Sequence, residues 1–391
     1  MKVVTMNRID ALLSKLCPNG VQLTSIENIC DISRGKVISK DYIRDNPGDY
    51  PVYSSQTENN GELGRIDTYA FEGEYLTWTT DGANAGSIFY RNEKFNITNV
   101  CGLLKTHDNV IARFLFYVLS IEAPKYVQKG MGNPKLMSNM MAKVKVPVPP
   151  LEVQSEIVKV LDNFTELTAE LTAELTARKQ QYLYYLNCFF ENSNAETVPL
   201  ASLGTLTRGK RFVHADATDD GVPCIHYGEL YTYYGVYANE VRSHIREDLR
   251  SKMRYATSGD VIIVGAGENK EDIGVGVAWY GDEDVAVHDA CYTLSHKQNP
   301  KYISYFLRSN MYHQQIVKYV YEGKICSISA ENVGKALIPI PPIEEQDRIV
   351  SILDRFDKLC TDLSYGLPAE IEARRKQYEY YRDKLLSFKE Q

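Results

Sequence analysis

The chain has 391 residues, 44% of them hydrophobic, and carries 44 basic against 51 acidic side chains, a net charge of −7. That length holds two or three domains with real cores, and the acidity excludes a protein that coats DNA by net charge alone. No long apolar run offers a membrane span, the N-terminus lacks a signal peptide's apolar core and cleavage site, and the eight cysteines include no CxxC pair. A cytoplasmic location and mostly buried free thiols are therefore expected, and a zinc site is not.

In chain order, a segment 1–20 containing IDALLSKL (9–16) leads to a first block, 21–150. Here EYLTWTT (74–80) and SIFYR (87–91) are strand-like runs bounded by Gly, Asn and Asp, while VIARFLFYVLSI (110–121) reads as a helix. A Pro-Pro pair then opens a long segment, 151–193. Its Ile157, Val160, Leu161, Phe164, Leu167, Leu171 and Leu175 recur every three or four positions, as on one apolar stripe of a helix. At about 1.5 Å per residue this helix reaches roughly 60 Å. A second block, 194–342, repeats the mixture with DVIIVGAG (260–267), GVAWYG (276–281) and the helical PKYISYFLRSN (300–310). The last segment, 343–391, is a second long helix with a break expected at YGLPAE (365–370), where Gly366 ends one helix and Pro368 opens the next. The expected fold is α+β: two similar mixed α/β domains separated by two long antiparallel helices, with the N-terminal piece docked near the C-terminal helix to close a pseudo-twofold ring.

The chain says most things twice. VPVPPLEVQSEIVKVLD (146–162) matches IPIPPIEEQDRIVSILD (338–354) at an offset of 192, with nine of 17 positions identical, among them Gln154/Gln346 and Asp162/Asp354. ARKQQYLYYLN (177–187) matches ARRKQYEYYRD (373–383) at an offset of 196, so the first copy is four residues shorter between its matched parts. Four is also the length of the unit in TAELTAELTA (168–177). Upstream, IENICDISRGK (26–36) answers LASLGTLTRGK (200–210), and Cys101 pairs with Cys291 as a shared core position.

On the doubled PPxxxQxxI helix start, the doubled RKQY/KQYEYY helix, the TAEL repeat and CPNGV (17–21), the chain resembles the specificity subunits of type I restriction-modification systems over nearly its whole length. The resemblance implies two target-recognition domains, each reading half of a split double-stranded DNA sequence. It implies helices that separate them and bind two methyltransferase subunits, to which two restriction subunits can be added. It implies no catalytic site, metal or cofactor in this chain; S-adenosylmethionine would be bound by the methyltransferase partners. The TAEL units then read as a ruler. Each adds about 6 Å and a net 40° of helix, against about 3.4 Å and 34° per DNA base pair. The bland alternative is a good helix former with Leu on its core side.

Base edges call for long polar donors and phosphates for cations. In the first block the candidates are Arg34, Lys36, Gln56, Asn59, Asn60, Asn84, Lys129, Asn133 and Lys135; in the second they are Arg208, Lys210, Arg211, His226, Tyr227, Tyr231, Lys270 and Lys324. Arg34 and Lys36 match Arg208 and Lys210, so they suit phosphate contacts common to both halves. Gln154, Gln346 and the tyrosines Tyr182, Tyr185, Tyr378 and Tyr381 are candidates for partner subunits, some rings lying in the helix pair and others under a partner. Two other readings compete: a stand-alone metal-dependent nuclease using Asp260, Glu268 and Lys270, and a coiled-coil scaffold with no DNA role. No Asn/Asp-Pro-Pro-aromatic motif for amino methylation is present.

Overall fold

The structure, a computed structural model, describes residues 2–129 and 132–389, with side chains from residue 8 onward. The chain divides into two compact units, Met1–Glu170 with Ile371–Gln391, and Leu171–Glu370. No helix among the described residues is long and apolar enough to cross a membrane.

In unit one, α1 (Lys2–Leu16) precedes β1 (Leu23–Ser25), β2 (Cys30–Arg34), β3 (Pro47–Tyr53), β4 (Glu62–Ile66), β5 (Phe71–Thr79), β6 (Ile88–Ile97) and β7 (Cys101–Thr106). The last six strands form one sheet in the order β2-β7-β5-β6-β3-β4. Helix α2 (Ala112–Glu122) and β8 (Lys145–Pro147) follow, and β8 pairs with β1. The core lies where α2 buries Phe114, Leu115, Val118 and Leu119 on the sheet with Leu76, Trp78 and Leu104. Gly102 is needed there, because a Cβ on it would lie 2.3 Å from the Trp78 ring. Ile9 of α1 and Leu385 of the C-terminal helix belong to the same core, and the Val21 amide donates to the Lys389 carbonyl at 2.8 Å. The N-terminal piece and the chain's end therefore meet inside this unit.

Helix α3 (Leu151–Glu191) is unbroken over 41 residues and passes from unit one into unit two. Unit two continues with β9 (Thr197–Pro199), β10 (Gly204–Arg208), β11 (Val222–Ile225), β12 (Val261–Val264), β13 (Gly276–Trp279), β14 (Val285–Val287), β15 (Cys291–His296), α4 (Pro300–Phe306) and β16 (Leu337–Pro339). Strands β10, β15, β12 and β13 follow the order of β2, β7, β5 and β6, and β16 pairs with β9 as β8 does with β1. The long β6 corresponds to two shorter strands here. One part pairs with the central sheet as β13, and the other runs parallel to β11 as β14 (Cys224↔Ala286, Ile225↔Val287), just as β6 runs parallel to β3 (Val52↔Asn96, Tyr53↔Ile97). The helix expected over 300–310 ends at Phe306, and Asn310 opens a separate one.

The chain closes with α5 (Ile343–Thr361) and α6 (Leu367–Leu386); α6 opens within the expected break, but α5 ends at Thr361 with Asp362 as its cap, not at Gly366. In unit two, Tyr185 of α3 stacks on Phe356 of α5 at 5.3 Å, and Tyr182 lies beside Asp357. Lys179, earlier in α3, lies beside Cys360, later in α5, so the two helices run antiparallel. In unit one, Phe164 of α3 stacks on Tyr381 of α6 at 5.4 Å. All eight cysteines are free, six of them buried.

Candidate nucleic-acid interface

The two blocks share little sequence between their ends, yet the same backbone frame appears in both. Each begins at the Arg-Gly-Lys turn. Arg34 closes the β2–β7 ladder opposite Gly102, and Lys36 forms an isolated bridge to Thr98. Arg208 closes the β10–β15 ladder opposite Tyr292, and Lys210 bridges His288. The glycine between them admits no side chain: a Cβ on Gly35 would lie 2.0 Å from the Ile97 carbonyl oxygen, and on Gly209 2.2 Å from those of Val287 and His288.

The turn that receives this motif is also matched. Cys101 and Cys291 each donate their amide to the carbonyl three residues back, Thr98 and His288, at 3.0 Å. Burial raises both thiols, Cys101 to about 12, so neither is a reactive thiolate. Thr98 and His288 in turn donate their amides to Tyr53 and Ile225, the last residues of β3 and β11. A third segment docks alongside. The Thr80 amide donates to Val100 and the Leu136 amide to Thr80; in unit two the Gly265 amide donates to Ala290 and the Ile328 amide to Gly265. The bridges Asp81↔Lys135 and Gln128↔Lys135 correspond to the Ala266↔Ser327 pair and the Tyr321↔Ser327 bridge.

This frame brings the sequence candidates of each block to one end of its sheet. In unit one, Asn84 Nδ2 donates to Thr57 at 2.9 Å, joining the 54–61 loop to the 81–86 turn. Arg34 Nη2 lies 3.9 Å from the Met137 sulfur, joining the Arg-Gly-Lys turn to the 128–138 loop. Within that loop Gly130 and Met131 lie outside the described residues, while Lys129, Asn133 and Lys135 are exposed. Lys36, Asn59 and Asn60 are exposed too; Gln56 is half-buried and donates to the Glu62 carbonyl. Asn59 and Asn60 have φ of 48° and 54°, a left-handed conformation that asparagine tolerates better than most residues, so their type has a backbone reason as well.

Sequence reasoning missed the residue beneath them. Arg91 is 1% exposed, lies over the Tyr53 ring with its guanidinium 3.4 Å from the ring centroid, and donates to the Asn60 carbonyl at 2.7 Å. Burial lowers its pKa, yet it remains a cation under the 54–61 loop. A lone Arg in a strand carries no sequence signal of that role.

In unit two, Phe212, His226, Tyr227 and His288 form a ring cluster with centroid separations of 4.4–6.1 Å. The His226–His288 contact replaces the Ser54–Thr98 hydroxyl pair of unit one. Arg211 and Lys324 are exposed; Tyr231 packs over Gly267. Lys270 is ion-paired with Glu322, and Arg208 donates to the Asp289 carbonyl at 2.7 Å with its carboxylate 3.7 Å away. These two cations are thus partly neutralised inside the chain. Arg254, which donates to the Arg208 carbonyl at 2.7 Å, was not legible in the sequence.

Burial lowers the pKa of His226 and His288, and likewise of His296 and His313 in the same unit. A histidine held neutral when folded gives stability that is present above its unfolded pKa, near 6.5, and lost as pH falls below it. Burial of Asp357 acts in the opposite direction, but the four buried histidines all lie in unit two, so acid should loosen that unit first. Hydrogen exchange at pH 5.5 and 7.5 should show protection falling around 212–228 and 285–292 while β5–β7 keep theirs.

The helix candidates are partly corrected. Gln154 and Gln346 are 0% exposed and engaged within the chain, so they are not partner-facing. Tyr182 and Tyr378 lie largely inside, and Tyr185 and Tyr381 have a face each on Phe356 and Phe164. Tyr185 stays 36% exposed, and the more exposed rings are the neighbours Tyr184, 64%, and Tyr380, 63%, at matched positions of the repeat.

The nuclease reading fails on geometry. Asp260 is 6% exposed, at the start of β12, and accepts from the Thr257 amide at 2.8 Å; Glu268 lies beyond the other end of that strand, and Lys270 is held by Glu322. Among the described residues no His/Cys/Asp/Glu group could hold a metal ion.

The sequence matches the family described as "Type I restriction modification DNA specificity domain" over residues 18–178 and again over 192–373. The chain belongs to that family. A type I specificity subunit of Mycoplasma pneumoniae is 32% identical over 373 residues, covering 94% of this chain and 98% of the relative. The N-terminal part of a second, from the same organism, is 49% identical over 44% of this chain and 98% of its own length. The crystal structure of a type I S subunit from M. genitalium superposes with a TM-score of 0.55 at 14% identity, covering 94% of this chain and 97% of that one. The chain is thus a specificity subunit of a type I restriction-modification system, acting in DNA recognition and not in catalysis.

Proposed function

We propose that the domains 21–150 and 194–342 of this specificity subunit each read one half of a bipartite duplex, and that the helical segments 151–193 and 343–391 set the spacer and dock two methyltransferase subunits. The observation that carries this is the shared frame: equivalent hydrogen bonds hold the Arg-Gly-Lys turn, the receiving turn and the third loop in both units, while the side chains they present differ. A common frame fits a common partner backbone, and different side chains fit different bases. Arg34, Lys36, Arg208 and Lys210 then contact phosphate. The polar loops read base edges. Tyr184 and Tyr380 face the methyltransferase subunits, which bring S-adenosylmethionine, and restriction subunits join that core.

The TAEL segment supports the ruler. Leu167, Leu171 and Leu175 are half-buried, and the threonines, alanines and glutamates between them are exposed or nearly so. The three leucines lie outside the buried core of either unit among the described residues. Variants with one or three units, assembled with the methyltransferase, should methylate the same half-sites with the spacer shortened or lengthened by about one base pair, as the rotation per unit requires. Methylation mapping reads this directly; an unchanged spacer would remove the ruler.

A further inference from the structure

Each reading domain is fastened to its long helix by the same set of side chains. Gln154 Oε1 accepts the amide of Ile111, the residue that opens α2, at 2.8 Å, and its Nε2 donates to the Pro149 and Asn109 carbonyls at 2.7 and 3.0 Å. Gln346 Oε1 accepts the amide of Asn299, which opens α4, at 3.0 Å, and its Nε2 donates to the Pro341 carbonyl and the Gln298 side chain, both at 2.8 Å. Two turns further along each long helix stands an aspartate. Asp162 takes Arg113 Nε at 2.8 Å and the Tyr117 hydroxyl. Asp354 takes Lys301 Nζ and the Tyr305 hydroxyl, each at 2.7 Å. The glutamine fixes the first turn of the domain helix, and the clasp fixes its next turn; two separated attachments along one helix remove its freedom to swing. The doubled sequence bears this out, since Gln and Asp are identical in both copies and Arg/Lys and Tyr recur at an offset of 188.

We propose that Asp162 and Asp354 are positioning residues that set the angle at which each reading domain leaves its helix, and so restrict the spacer lengths the pair accepts. This rests on the bipartite reading above. The clasp in unit two is the more shielded, with Lys301 and Asp354 side chains 17% and 26% exposed against 25% and 42% for Arg113 and Asp162. Its loss has the larger effect.

The test is a methylation-rate profile of the assembled complex on duplexes whose spacer is the cognate length or one base pair shorter or longer. Asp354→Asn should raise the rate on off-length spacers relative to cognate by about tenfold, the equivalent of one charge-assisted hydrogen bond. Asp162→Asn should raise it less, and Lys301→Arg, which keeps the clasp, should retain the parental profile. Tyr305→Phe, which leaves the ion pair in place, gives the same readout if Asp354→Asn folds poorly. A uniform fall at all spacers with unchanged preference in both variants overturns the positioning role. If the parental complex itself shows no dependence on a second half-site, the bipartite reading fails instead.

Discussion

Gly209→Ala should weaken target binding roughly 10- to 100-fold while leaving the rest of unit two folded. The new Cβ would sit 2.2 Å from two backbone carbonyl oxygens, Val287 and His288, and neither can swing away as a flexible side chain could. The His288 carbonyl accepts the Cys291 amide and its own amide is bonded to Ile225, so the receiving turn is tied on both sides. The Arg-Gly-Lys turn must therefore lift, carrying Arg208, Lys210 and Arg211 off their frame. Overpacking of this kind costs about 1–3 kcal/mol, which in lost target affinity is roughly 10- to 100-fold. Gly35→Ala should do the same for the first half-site. Gly235→Ala is the control: it lies in the same unit, and a Cβ there meets nothing within 4 Å. Affinity for the bipartite duplex measures the effect, and far-UV circular dichroism checks the fold. Equal affinity for the Gly209 and Gly235 variants would refute the frame's role.

Gln154→Leu should be the more damaging of the two glutamine replacements. It leaves three backbone groups that cannot turn away, the Ile111 amide, the buried Pro149 carbonyl and the carbonyl of exposed Asn109, facing a side chain that is itself fully buried. Each buried unpaired group costs about 1–3 kcal/mol, so a loss of about 2–3 kcal/mol is expected, or roughly 5–10 °C in the melting of a unit this size. Gln346→Leu strands the Asn299 amide and the Pro341 carbonyl, but its third partner is the half-buried Gln298 side chain, which can turn to water. Its loss should be smaller. Thermal melts of the two single variants decide the order.

The repeat was legible in the sequence because its conserved letters do backbone work. Gly35 and Gly209 keep their identity because the turn has no room for a Cβ, and Gln154 and Gln346 because two backbone groups of each domain must be satisfied at once. The start of α6 was equally readable, since Pro368 stands in its first turn, whereas α5 ends at Thr361, five residues before the Gly366 expected to end it. Which tyrosine of each pair is the more exposed was not readable. Tyr184 and Tyr185 are adjacent on one helix, and only the position of Phe356 decides which ring is covered.

Periodicity and the doubled helix start by themselves determined two mixed domains and two long helical segments, and the repeated motifs carried the resemblance to the type I specificity family, because each is written in neighbouring residues. Tertiary structure alone decided which loops share one end of a sheet, that Arg91 underlies Asn60, that His226 meets His288, and that Asp260 and Glu268 stay apart. Those pairings join residues tens of positions distant or divide residues close in sequence, and they depend on strand order and register, which no local pattern of side chains encodes.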